Sequence, residues 1–312
     1  RYHQTKHSNG NFNGILTSGS PSPQPTRDIE SATIKNQVSA LHRVDNALYV
    51  GFGDGRLQKW NLDPKAKMVE FVAHDGAIRR IKSDAASKDI ITIGARGSVA
   101  RWNKDFKLIK RHRFTDRHLN DGLVLPSGAI MVAGDKGYIG KVGTDPWRIV
   151  GMHNLAVFGL ESDPRSQTIF SVGSDNLVGF WSAKSGSNLA HVPVGKDWLH
   201  TINRVGDTLW LGSKTGELHT LDIGGKTLTS TLSLGKSRII SSAVHDGILA
   251  LGLEDGQLSV VNTQTRKTVY TGQVFDTPIY AIAFYNGGLI LGSTGPTMRF
   301  ITNYDKPAVE DF

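Results

Sequence analysis

The chain has 312 residues, a formal net charge of +8 and no cysteine. The absence of cysteine excludes disulfides, thiolate metal sites and cysteine nucleophiles, and it leaves the redox compartment open. No stretch approaches the roughly 18 consecutive apolar residues of a membrane span, so membrane insertion is not expected. The positive charge favours acidic or polyanionic partners.

The first 29 residues are rich in Ser, Asn, Gly and Pro and include Ser20-Pro21-Ser22-Pro23-Gln24-Pro25. This composition predicts an extended or disordered arm over residues 1–29 that either orders on a partner or serves as a linker. A short β-branched run, Ala32-Thr33-Ile34-Lys35, follows the arm. It predicts a strand near residues 31–35.

A repeat of about 40 residues then recurs seven times. Each copy places an apolar strand before a turn of small residues and a second strand after it, and the turn requires residues that adopt positive φ. The spacing of 39 to 43 residues between copies predicts one circular array. The aligned small residues are Gly51, Gly94, Ala133, Gly173, Gly212, Gly252 and Gly292.

Tryptophan ends several of the strands that follow these turns, as in Trp60-Asn61, Trp102-Asn103 and Trp181-Ser182, and Ala73-His74-Asp75-Gly76 precedes one copy. In these features the chain resembles the WD-repeat family, whose repeats carry Gly-His and Trp-Asp pairs. A kelch or quinoprotein-like propeller is the alternative. The aromatic side chains are predicted to pack between neighbouring blades.

The predicted fold is all-β, a single seven-bladed β-propeller of four-stranded antiparallel blades over residues 30–305. The last copy offers only three strands, so we expect the N-terminal strand near residues 31–35 to complete it and close the ring. Residues 306–312 form a C-terminal tail. The predicted blades are residues 36–73, 74–115, 116–154, 155–194, 195–234, 235–275, and 276–305 together with 31–35.

Motifs for catalysis or cofactor binding do not stand out in this sequence. The eleven histidines are scattered and share no position in the repeat. Asp54, Asp135, Asp175 and Asp255 recur at the turn between the second and third strands and are interpreted as turn stabilisers. We therefore expect no catalytic residue, metal site or cofactor, and we expect that the protein is not an enzyme.

Blade two is strongly basic. By the period, residues 108–114 form an outer strand that directs Lys110 and His112 to one face and Arg111 and Arg113 to the other. These cations either protect the sheet edge or form a surface for an anionic partner such as RNA. The candidate anionic-partner surface is Arg79, Arg80, Arg101, Lys104, Lys107, Lys110, Arg111 and Arg113.

Analogy with WD-repeat proteins indicates a non-catalytic scaffold that binds other proteins within a multi-subunit complex, in the cytoplasm or nucleus. The alternatives are an RNA-associated propeller that uses blade two and an enzyme with a central-channel site. WD-repeat relatives commonly bind partners at the mouth of the central channel. By register, the residues of that face are Gln37, His74, Arg117, Phe158, Trp198, Arg238 and Tyr280.

Overall fold

Seven sheets of four strands make up the part of the chain that the computed structural model describes, residues 27–30, 37–62, 68–114, 117–143, 148–294 and 297–302. Every sheet is antiparallel, and every regular element in these ranges is a strand. The innermost strands of successive blades contact one another, and β2 of blade one contacts β26 of blade seven. The predicted seven-bladed β-propeller is therefore confirmed. None of the described residues forms a helix long and apolar enough to cross a membrane.

The strands follow the chain from the centre of the ring to its rim in six blades. Blades one to three contain β2 Val38–Val44, β3 Ala47–Phe52, β4 Arg56–Asn61, β5 Val69–Val72, β6 Ile78–Ser83, β7 Ile90–Gly94, β8 Ser98–Trp102, β9 Leu108–Arg113, β10 Leu119–Val124, β11 Ile130–Gly134, β12 Tyr138–Lys141 and β13 Arg148–Met152. Blades four to six contain β14 Val157–Asp163, β15 Thr168–Gly173, β16 Leu177–Ser182, β17 Asn188–Pro193, β18 Leu199–Val205, β19 Thr208–Ser213, β20 Glu217–Asp222, β21 Thr227–Ser233, β22 Ile239–His245, β23 Ile248–Leu253, β24 Gln257–Asn262 and β25 Lys267–Gln273. Blade seven contains β26 Ala281–Tyr285, β27 Gly288–Gly292, β28 Thr297–Ile301 and β1 Arg27–Glu30.

The apolar core is divided among the interfaces between blades. Among the residues that the structure describes, the buried apolar side chains form seven clusters, and each cluster joins two neighbouring blades. Trp60, Trp102 and Trp181 each pack against the preceding blade, as predicted. A blade therefore buries its apolar faces only when both neighbours are present.

The turn between the second and third strands requires positive φ, as the sequence predicts. Gly256 has a φ of 86°, and a Cβ atom there would lie 1.9 Å from the carbonyl oxygen of Phe275. Blade four places Asn176 at the same turn with a φ of 54°. Asparagine tolerates this region better than other side chains do, so its use in place of glycine fits the repeat.

An N-terminal strand closes the ring, but its predicted position is wrong. The closing strand is Arg27–Glu30, which pairs antiparallel with β28, and residues 31–36 lie outside the described part of the chain. A strand that ended at residue 35 would leave three Cα steps, about 11 Å, before Val38 begins blade one. The chain must pass from the outer to the inner edge of a four-stranded blade, about 14 Å. The closing strand must therefore end earlier.

Candidate protein-binding face

The first strands of all blades begin at one face of the ring, which we call the upper face. The turns between second and third strands also lie there, because neighbouring strands are antiparallel. All seven residues predicted to bind proteins lie near the start of a first strand and therefore belong to this face.

Three aromatic side chains meet on the upper face where blade four contacts blade five. Phe158 and Trp198, both predicted binding residues, have ring centroids 6.3 Å apart. His200 stacks on Phe158 with a centroid distance of 4.4 Å and an interplanar angle of 20°. We call Phe158, Trp198 and His200 the aromatic cluster. Trp198 is 39% exposed, so the cluster presents an apolar surface to solvent.

Two cations flank the aromatic cluster. The ammonium group of Lys214 lies 4.4 Å from the ring centroid of Trp198. Arg238, a third predicted binding residue, donates to Glu254 with 3.2 Å between Nε and Oε2. Burial lowers the pKa of His200 to about 4, and the charge of Arg238 acts in the same direction. His200 is therefore neutral near pH 7 and adds apolar area rather than charge.

The other predicted binding residues lie apart from this cluster. The carbonyl oxygen of Gln37 accepts from the N–H of Gly53 at 2.9 Å, and the guanidinium of Arg117 lies 4.6 Å from the ring centroid of Tyr138. Tyr280 lines a cavity that lies between the first strands at the centre of the ring. Sequence register alone identified the face but not which of its residues come together.

His74 was predicted as a binding residue, but it is buried, with 3% exposure. Its Nδ1 lies 2.9 Å from Ser98 Oγ and its Nε2 lies 2.7 Å from Thr92 Oγ1. The indole N–H of Trp102 donates to the same Thr92 hydroxyl at 2.9 Å. His74 therefore holds the third strand of blade two in place and is not available to a partner.

Blade four contains a matching network with an added carboxylate. His153 Nδ1 lies 2.9 Å from Asp175 Oδ1 and its Nε2 lies 2.6 Å from Ser171 Oγ. Trp181 donates to Ser171 at 2.7 Å. The order of hydroxyl, imidazole and carboxylate is that of a catalytic triad. Ser171 has 0% exposure, so its hydroxyl is closed to solvent and the network joins side chains in the interior of the blade.

The prediction that the histidines share no repeat position is wrong for this pair. His74 and Thr92 are separated by 18 residues, as are His153 and Ser171. The hydroxyl and the tryptophan are separated by 10 residues in both blades. This spacing of histidine, hydroxyl and tryptophan was visible in the sequence and would have identified both networks.

The buried imidazole of His74 makes stability depend on pH. Burial and then the charge of Arg111 lower its pKa to about 3. Because the unfolded chain takes up this proton near pH 6.5, the free energy of unfolding falls as pH drops below that value, by about 1.4 kcal/mol per pH unit for one such group. Between pH 6.5 and pH 5, the free energy of unfolding of His74→Gln should fall by about 2 kcal/mol less than that of the wild type. Urea unfolding at the two pH values measures both proteins. Equal losses would contradict this role.

A central cavity of about 310 Å³ lies between the first strands. His42, Lys82, Glu161 and Asn203 line it, each from a different blade. Burial, with a contribution from Lys82, lowers the pKa of His42 to about 4, whereas burial raises the pKa of Glu161. Within the described residues, no three His, Asp or Glu side chains are arranged to hold a metal ion.

Asp121 ties three blades together at the wall of this cavity. Its Oδ1 accepts from Arg80 Nε at 2.8 Å, and its Oδ2 accepts from the backbone N–H of Leu160 at 2.8 Å. Arg80 was predicted to belong to an anionic-partner surface, but its charge is used inside the ring.

The remaining basic residues of blade two do not form one surface. Arg101 pairs with Asp84 and with Asp89, the latter at 2.9 Å between Nε and Oδ2. Arg111 donates to the carbonyl oxygen of Ala73 at 2.7 Å. The predicted surface is therefore divided between the cavity, the interior of the blade and the rim.

Four of the predicted basic residues are exposed and lie along the outer part of the blade, and a fifth, Arg79, is exposed at the upper face. Arg113 pairs with Asp75 at 3.5 Å, and both side chains are more than half exposed. Lys104, Lys107 and Lys110 are exposed. Arg111 and Arg113 both reach toward the end of blade one, which agrees with the predicted alternation along the outer strand.

No family model matches the chain, and no curated protein matches it. Solved structures do. The crystal structure of the computationally designed Ika8 protein is 14% identical, with a TM-score of 0.65 over 86% of this chain and 96% of that one. At this identity the likeness concerns the fold alone. It supports the propeller, and function must be argued from the residues.

Proposed function

We propose that this protein is a WD-repeat-type propeller that acts as a non-catalytic scaffold and binds a protein partner on its upper face, within a larger assembly. The observation that carries the proposal is the exposed Trp198 of the aromatic cluster. Trp60, Trp102, Trp181 and Trp210 are all at most 7% exposed, whereas Trp198 is 39% exposed.

An exposed tryptophan on a rigid face is typical of a protein interface. Binding energy in such interfaces concentrates in tryptophan, tyrosine and arginine side chains that lose their water on binding. The stacking of Phe158 on His200 fixes the platform beneath Trp198 before any partner arrives. Little conformational entropy is then lost on binding.

The WD-repeat assignment is supported by the two histidine networks. His74 lies in the segment that resembles the Gly-His pair, and Trp102 and Trp181 occupy the position of the Trp-Asp tryptophan. Each network joins its histidine to the tryptophan through one buried hydroxyl, Thr92 or Ser171. The histidine and the tryptophan, which are the residues of those pairs present in this chain, thus have a physical role in both networks.

An RNA-associated propeller has less support. Single-stranded RNA is bound by exposed aromatic side chains beside a basic groove. Beside the exposed lysines of blade two, Phe106 is 5% exposed and Phe114 packs against the core between blades two and three.

The test is an affinity purification of the tagged chain from its host, at two salt concentrations and with and without nuclease. Trp198→Ala is expected to reduce the recovery of the bound proteins at least tenfold, because it removes a central contact of the interface. Leu189→Ala, at a side chain 51% exposed on an outer strand, is the control and should recover them fully. Recovery that is unaffected by Trp198→Ala, or that requires RNA, would refute the proposal.

A further inference from the structure

The outer edge of blade two differs from the other rims in composition. β9, Leu108–Arg113, is the last strand of its sheet, so one of its edges has no neighbouring strand among the described residues. The corresponding strands β17 and β21 contain no lysine or arginine, and β25 contains one lysine. β9 contains one lysine, two arginines and a histidine.

We propose that this edge binds an extended acidic segment of a partner protein, which adds to blade two as a fifth strand. The occupant is a peptide that alternates carboxylate and apolar side chains. This surface is distinct from the upper face, so it does not rest on the scaffold proposal above.

Apolar exposure at this edge argues against a purely protective role for the cations. Proteins protect an edge strand by placing charge there and removing apolar side chains. Leu108 and Ile109 are instead 45% and 52% exposed. Arg101 pairs with Lys110, and the next residue, Trp102, pairs with Leu108, so Ile109 is skipped and has no partner on β8. A bulge of this kind redirects a side chain, and here it offers an apolar anchor at the rim.

Unpaired positive charge surrounds this anchor. The ammonium groups of Lys104, Lys107 and Lys110 form no ion pair with any described residue. Burial lowers the pKa of His112, and the charge of Lys110 lowers it further. Asp105 and Asp75 are exposed carboxylates nearby, and Asp75 pairs with Arg113. The lysines and arginines outnumber them, so the local balance of charge is positive and favours an acidic occupant.

The ring itself provides a precedent for strand addition. Blade seven is completed by the four residues Arg27–Glu30, which are distant in sequence and pair antiparallel with β28. The regular part of β9, residues 110–113, is also four residues long and pairs in register with Ser98–Arg101. An added strand of that length is therefore sufficient in this fold. Backbone hydrogen bonds supply affinity in this mode, and alternate side chains supply specificity.

The test uses the full chain and a fluorescent eight-residue peptide of alternating glutamate and valine, with binding followed by anisotropy. The triple variant Lys104→Glu, Lys107→Glu, Lys110→Glu is expected to weaken binding at least tenfold. Lys184→Glu, Lys226→Glu, Lys267→Glu makes the same change in net charge at exposed positions of blades four to six and should bind like the wild type. Circular dichroism checks that both variants are folded.

Two further arms separate strand addition from simple charge attraction. The same peptide with alternate backbone nitrogens methylated keeps its charges but cannot pair along an edge, and it should bind at least tenfold more weakly. Ile109→Ser tests the apolar anchor and should weaken binding severalfold. The proposal is overturned if both triple variants bind equally, if the methylated peptide binds as well as the parent, or if oligouridine binds this edge more tightly than the peptide.

Discussion

Replacing His153 by alanine is expected to lower the free energy of unfolding by about 3 kcal/mol, because the buried Asp175 carboxylate and the buried Ser171 hydroxyl each lose their hydrogen bond to the imidazole. Asp175 has a side chain that is 6% exposed and accepts from His153 at 2.9 Å. Burial raises the pKa of Asp175, but the hydrogen bond from His153 and the backbone N–H groups of Asn154 and Leu177 outweigh burial and lower it. Alanine removes the side chain that compensates this carboxylate.

Loss of His153 also affects Ser171, whose hydroxyl is fully buried and bonds to both the imidazole and the indole of Trp181. The control is His191→Ala. The ring of His191 lies 5.1 Å from that of Trp181 but is exposed, so its loss should cost within about 0.5 kcal/mol. Urea unfolding followed by tryptophan fluorescence measures both variants. A loss below about 1 kcal/mol for His153→Ala would show that the network does not hold the blade.

Removing residues 1–30 is expected to destabilise the ring strongly, whereas removing residues 1–26 leaves the closing strand in place. The first truncation deletes all four pairings of β1 with β28. At about 1 kcal/mol for each of about four backbone hydrogen bonds, the free energy of unfolding should fall by about 4 kcal/mol. The truncation also leaves β28 as an unprotected edge, which promotes aggregation.

The comparison is made by urea unfolding and by light scattering of the two truncated chains at matched concentration. A synthetic peptide covering residues 24–34 should restore part of the stability of the shorter chain, because it can occupy the vacant edge. Equal stability of the two truncations would show that the ring closes without β1. If the two truncations differ in stability but the peptide restores none of it, the covalent connection of the closing strand to blade one is needed.

The repeat period predicted the number of blades because each blade must supply the same strand lengths to reach from the channel to the rim. It did not predict the register of every copy. In blade one, Gly51 pairs with Ala40. The equivalent pairs are Ile93 with Arg80 in blade two and Val172 with Gly159 in blade four. Gly94 and Gly173 are therefore one residue out of alignment, since a small residue recurs both in the strand and in its turn.

The period of the repeat does not predict which side chains of neighbouring blades come into contact. Phe158 lies on β14 and Trp198 just before β18, and the two meet only because the ring brings blades four and five together. The cations of blade two show the opposite case. They are close in sequence, but one blade extends about 14 Å across its four strands, so they are distributed from the central cavity to the rim.

The pairing of Glu30 with Thr297 also has a consequence for biosynthesis. The segment that completes the seventh blade leaves the ribosome before any other part of the ring, and its partner strand is translated after all the remaining blades. Forming so distant a contact is slow, although the entropic penalty grows only logarithmically with the length of the intervening chain. We therefore expect the nascent protein to pass through an incomplete ring whose two terminal blades expose unpaired strand edges and apolar faces. Chaperones should matter more for this intermediate than for the closed ring.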